Sequence, residues 1–168
     1  MRCRLLPLLG VLVLSGAFVA VARAAFGITV LPATTTGTPV TLNGVDQTSS
    51  FTATITVSGA LSTGWNITAW APVPVSGVNT LAALVVPSQP TAGVCSGGGC
   101  NQPTPIGITW PVTVGTTAGG ATKIYNANTA TGKGTNTITV TFNIPVRAGA
   151  LAASYTTTLT ITGSASGP

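Results

Sequence analysis

The sequence predicts an all-β protein, a single antiparallel β-sandwich of about eight strands, Ig-like or Greek-key in type. Three observations lead there. Apolar residues alternate with Thr or Ser through three long stretches, 31 of the residues after position 24 are Thr, and Gly, Pro and Asn pairs fall where turns belong. Alternation at period 2 gives a strand one dry and one wet face, as in an antiparallel sheet packed on one side. Thr suits that wet face, because its branched Cβ favours the pleat while its hydroxyl stays hydrated.

Residues 1–24 read as a cleaved signal peptide. Arg2 and Arg4 give a positive start, residues 5–21 are mostly apolar, and Ala22-Arg23-Ala24 supplies the small-x-small exit that signal peptidase needs. The apolar stretch almost reaches the length of a membrane span, but its small-residue exit and Arg23 favour cleavage over anchorage. Cys3 lies in the positive region, so no Cys follows the apolar stretch to carry a lipid. The mature chain is expected to begin at Ala25, to fold as one domain over 25–168, and to work outside the cytoplasm, secreted or held at the cell wall.

The strands then follow in order. Residues 26–31 and 39–42 are short candidates, and Asn43-Gly44 marks a turn. Over 51–58, Phe51, Ala53, Ile55 and Val57 face one way and Thr52, Thr54, Thr56 and Ser58 the other. Trp65, Ile67 and Ala69 share a parity within 64–71, opposite Asn66, Thr68 and Trp70. Residues 71–105 hold six Pro and five Gly and are expected to form one long irregular excursion. Within it only 80–86 could make a helical turn, which Pro87 would end. Strands resume at 106–114, where Ile106, Ile108, Trp110, Val112 and Val114 share the inward parity, and at 123–126. The last long strands alternate at Ile138, Val140, Phe142 and Ile144, and then at Tyr155, Thr157, Leu159 and Ile161.

What is scarce bounds the chemistry. The chain has six Lys or Arg, one acid and no His; without the leader, Lys123, Lys133 and Arg147 stand against Asp46 alone, a net charge of +2. Nucleic-acid binding needs clustered cations to replace counterions on phosphate, which three scattered ones do not provide. Glycoside hydrolysis needs two carboxylates, a Ser or Cys nucleophile needs an activating base, and metals need sets of His, Cys or carboxylate. A non-enzymatic protein without metal or cofactor is expected.

Cys95 and Cys100, in Cys-Ser-Gly-Gly-Gly-Cys, are expected to form a disulfide that pins the excursion, since an exported chain meets an oxidising environment. Trp70 falls on the expected solvent face with Asn66 and Thr68, making these three the candidate contact for a sugar ring or a partner protein. Asn66-Ile67-Thr68 is also a glycosylation sequon, meaningful only in a eukaryotic secretory route. Leu31-Pro32-Ala33-Thr34-Thr35 is close to a wall-sorting signal, but it ends in Thr where Gly is essential and has no apolar tail after it. Covalent wall anchoring is therefore not expected.

Gly64-Trp65-Asn66-Ile67-Thr68, preceded by Leu42-Asn43-Gly44-Val45-Asp46-Gln47-Thr48, resembles the first half of a WxL domain, a family of Gram-positive surface proteins. Its second half is matched by residues 154–162, which carry Tyr155, Leu159 and Ile161 and are followed by Gly167-Pro168. The approach Ile144-Pro145-Val146-Arg147-Ala148-Gly149 is also similar. Thr160 stands where the family has its second Trp, so the resemblance is to a relaxed form. It implies motif positions at Gly64, Trp65, Ile67, Tyr155, Leu159 and Ile161, non-covalent attachment to peptidoglycan, and complexes with other surface proteins. The alternative is a structural subunit of a surface filament or layer, with the apolar segment 25–31 donated to a neighbour as a strand. The two readings differ in where Phe26, Ile28 and Val30 sit.

Overall fold

The computed structural model describes residues 26–33, 35–60 and 63–165; the leader, Ala25 and Gly167-Pro168 lie outside them. Where alternation is unbroken, the longest strands form. β2 (Gln47–Ala60) and β10 (Gly134–Val146) pair antiparallel with Phe142 opposite Phe51 and Ile138 opposite Ile55. The Phe51 and Phe142 rings stack with centroids 5.2 Å apart. β1 (Gly27–Leu31) pairs with the other side of β2, Ile28 opposite Val57 and Val30 opposite Ile55. The far side of β10 receives β7 (Thr91–Ser96) near its start and β6 (Val85–Val86) at Asn143, and β6 carries β8 (Val112–Thr113). The second sheet has the order β11 (Thr160–Ser164), β3 (Trp65–Trp70), β9 (Thr122–Ala127). A small hairpin joins β4 (Val75–Ser76) to β5 (Asn79–Thr80).

The result is an all-β antiparallel sandwich with its core between the two sheets. Ile55, Val57, Ile138, Val140 and Phe142 from the larger sheet meet Trp65, Ile67, Ala69 and Tyr125 from the smaller one, all of them buried. Two aromatic rings anchor one end. Trp65 and Tyr125 stack at 5.4 Å, and each places its one polar hydrogen on a loop carbonyl. The Trp65 indole N–H donates to the Gly132 carbonyl at 3.0 Å and the Tyr125 hydroxyl to the Pro103 carbonyl at 3.2 Å. Gly132 has a φ of +68°, and a Cβ there would lie 2.6 Å from the indole nitrogen, so only glycine brings that carbonyl so near. The two loops also hold each other: the Lys133 N–H donates to the Asn101 side chain, which donates in turn to the Ala130 carbonyl.

The structure revises several sequence expectations. Residues 71–105 are not an irregular excursion; they hold β4, β5, β6 and β7, and two of these strands join the larger sheet at β10. Their alternation is hard to see because prolines bound very short strands and Gly93 sits inside β7. Gly93 lets the chain bulge against β10, where the Thr137 hydroxyl accepts from the Val94 N–H at 2.7 Å and donates to the Val94 carbonyl. No helical turn forms over 80–86; among the described residues the one helical turn is a 3₁₀ turn, Ala118–Gly120, closed by the Thr117 hydroxyl.

Residues 39–42 form no strand either. Thr38 still meets Ser50, but Pro39 has no N–H with which to continue. Only Val112–Thr113 of 106–114 is a strand, although the parity holds and Trp110 lies half-buried against the core. The final strand begins at Thr160 rather than Ser154. Its partner β3 runs on into Pro72 and Pro74, which lack ladder donors, so pairing resumes only where Thr156 meets Val75. The Thr157 hydroxyl donates to the Pro72 carbonyl in that gap.

Trp65→Ala removes a fully buried ring from this core and is expected to cost about 3–5 kcal/mol, read from urea melts; a change under about 1 kcal/mol would show that the ring is not the anchor described. Burial also pushes the Tyr125 hydroxyl up to about 12 from its ordinary 10.0. A raised phenol stabilises the fold fully below pH 10, and that contribution is lost as the pH rises towards 12. Urea midpoints should therefore fall across that window, and Tyr125→Phe should flatten the fall. An equally steep fall in the variant would assign it to other groups.

Candidate functional site

The sequence-derived site residues separate into three groups. Gly64, Trp65 and Ile67 serve the interior: Gly64 has a φ of +78° at the entry to β3, and Trp65 and Ile67 are fully buried. Asn66, Thr68 and Trp70 share the opposite parity, but that face is not an open platform. Asn66 is buried, in register between Asn126 and Ser164 at the centre of the smaller sheet, and Thr68 and Trp70 are half-buried. Next to Trp70, the Ala71 N–H donates to the Gly115 carbonyl, drawing another loop against the strand end. A three-stranded sheet crowds its middle strand from both sides, which parity along one strand cannot reveal.

Tyr155, Leu159 and Ile161 form the third group, and the structure brings these together with residues the sequence did not single out. They make one bank of a groove of about 600 Å³ at the end of the sandwich away from the Trp65–Tyr125 pair. Val30, Pro32 and residues 35–37 make the other bank, and Phe51, Ala53 and Ile144 the floor. The groove exists because β1 and β11 are edge strands of different sheets on the same side of the sandwich. They touch at Gly163, where a Cβ would lie 3.1 Å from the Phe26 ring and still closer to Ile28. Beyond that contact β1 ends at Pro32, β11 loses its ladder at Thr160, and the sheets part. None of the fifteen lining residues is charged. The alternation of 155–161 was the signal for one bank; the other bank required knowing which strands are edges.

The charged groups lie elsewhere. Asp46 accepts from the Ala148 N–H and from the Arg147 guanidinium, each at 2.9 Å. These two hydrogen bonds hold its carboxyl below the usual carboxylate value, the backbone donor contributing most. Among the described residues no three of His, Cys, Asp or Glu come together, and no helix is long and apolar enough to cross a membrane. No family model, curated protein or solved structure matches this chain.

Cys95 and Cys100 are joined in a disulfide with Cα atoms 6.0 Å apart. It ties β7 to the segment entering the Asn101 loop, beside Gly134 of β10, where a Cβ would lie 3.1 Å from the Cys100 sulfur. Because the ring spans only a five-residue separation, chain entropy limits its worth to about 2 kcal/mol. Cys95→Ser should keep the fold and lower stability by no more than that. Unfolding on mild reduction would show that the crosslink, rather than packing, holds this end.

Proposed function

We propose that this chain is an exported, non-catalytic cell-surface module of the relaxed WxL type, associating non-covalently with the bacterial wall through peptidoglycan or the surface proteins bound to it. The observation that carries this reading is the surface chemistry of the sandwich. Its one acid sits in an exposed ion pair with Arg147, and the groove beside residues 155–161 offers hydroxyls and apolar surface without a charge. Such a surface supports binding by shape and hydrogen bonding rather than acid–base chemistry. A disulfide and a leader-like N-terminus fit an oxidising exterior. The position of β1 bears on the filament alternative: Ile28 and Val30 pack on their own core, with their backbone paired to their own β2. That supports a self-contained module over a donated N-terminal strand.

The test is to express the full chain in a Gram-positive host, identify its N-terminus, and sediment the purified product with isolated walls at low and high salt. Secreted protein beginning at Ala25 and retained by walls is expected. Retention should change little with salt, because little of this surface is charged. Material that keeps Met1, or that stays in the supernatant, would overturn the reading.

A further inference from the structure

Residues 155–161 read as a strand, and burial alternates over 155–159 as a strand's does, yet among the described residues nothing pairs with the outer edge of this segment. β11 has β3 as its one ladder partner. Thr156 gives both its N–H and its C=O to Val75. In an extended chain the flanking residues direct theirs the opposite way, so Tyr155 and Thr157 present theirs at the open edge. Edge strands are ordinarily protected by Lys, Pro or a covering loop, and residues 155–164 contain neither Lys nor Pro. Directly beside this edge lies an apolar floor that no described residue covers, made by Phe51 and Ile144 between Val30 and Leu159.

We propose, building on the reading of the chain as an extracellular binding module, that this groove takes an extended, uncharged polypeptide segment of a partner protein, added as a strand alongside residues 155–161. Its backbone pairs with the open edge, and every second side chain drops onto the floor between the sheets. Three features select this occupant. An open backbone edge is completed by another backbone and not by a sugar chain, and the floor beside this edge is apolar. An acidic or basic peptide would lose its hydration in a groove that offers no counter-charge. A second copy's β1 would first have to leave its own ladder on β2, which runs the full length of that strand.

The experiment titrates the isotope-labelled secreted protein with a capped eight-residue peptide of alternating Thr and Val, carrying a neutral solubilising tail. Amides of residues 155–161 should shift and exchange more slowly with solvent as the peptide binds. The same peptide N-methylated at alternate residues, or with Lys replacing Val, should bind at least about tenfold more weakly. Leu159→Arg, which puts a charge on the groove wall, should lose binding by a similar factor; the modified peptides give the same information without altering the protein. The proposal is overturned if the plain peptide shifts nothing at millimolar concentration, or if N-methylation leaves its binding unchanged. It is also overturned if a soluble chitin oligomer moves the same amides and the peptide does not, or if the protein alone is a dimer with this edge already protected. Wall sedimentation without peptide binding sinks this site and leaves the surface-module reading standing; peptide binding without sedimentation does the reverse.

Discussion

Two aromatic rings stacked in a dry core, each with one polar hydrogen to satisfy, set the constraint on which one end of this protein is built. A buried indole N–H or phenol O–H left without an acceptor is costly. Trp65 and Tyr125 therefore fix where two carbonyls must be, those of Gly132 and Pro103. Those carbonyls belong to loops that would otherwise be free to wander. Once the rings place them, Asn101 and Asn136 can reach Lys133 and Gly132, and the loops hold each other as well as the rings. The disulfide then reinforces a neighbourhood already closed by packing.

Scarcity of charge shapes the rest. Many β-proteins blunt their sheet edges with lysines, and this one has only three cations after residue 24. It uses covering segments and prolines instead. The outer edge of β9 is closed by backbone bonds from Ile106 to Asn126 and from Asn128 to Thr104. Pro32 stops β1, Pro39 stops the chain from rejoining β2, and Pro72 and Pro74 interrupt the ladder beyond β3. The same prolines that end pairing at these places also let the two sheets part, so the groove follows from how the edges are terminated.

The long strands were legible in the sequence because their signal is local: inward residues alternate with Thr, and the structure buries Ile55, Val57, Ile138, Val140 and Phe142 as that parity requires. Trp65 and the Cys95–Cys100 bond were legible for similar reasons. What was not legible depends on neighbours. β6 and β7 are too short, or too broken by Gly93, to announce themselves, and they are strands because β10 has a second side to fill. Asn66 has the parity of a solvent residue but the position of a central strand. Trp110 has the parity of a core residue and packs against the core, yet remains half-exposed, with its indole nitrogen buried and unpartnered among the described residues. The groove was half legible: Tyr155, Leu159 and Ile161 stood out, while Val30, Phe51 and Ile144 join them only through the fold.

The order of strands along the chain has a consequence for how the protein is made. β2 is complete by Ala60, but its long partner β10 begins at Gly134, and β3 lacks one neighbour until Thr160 arrives. Neither sheet can close on local contacts alone, because the required pairings join residues far apart along the chain. Such a topology folds slowly, since loop-closure entropy is met before distant strands reward it, and its unpaired edges stay open to other chains for as long as the pairing is incomplete.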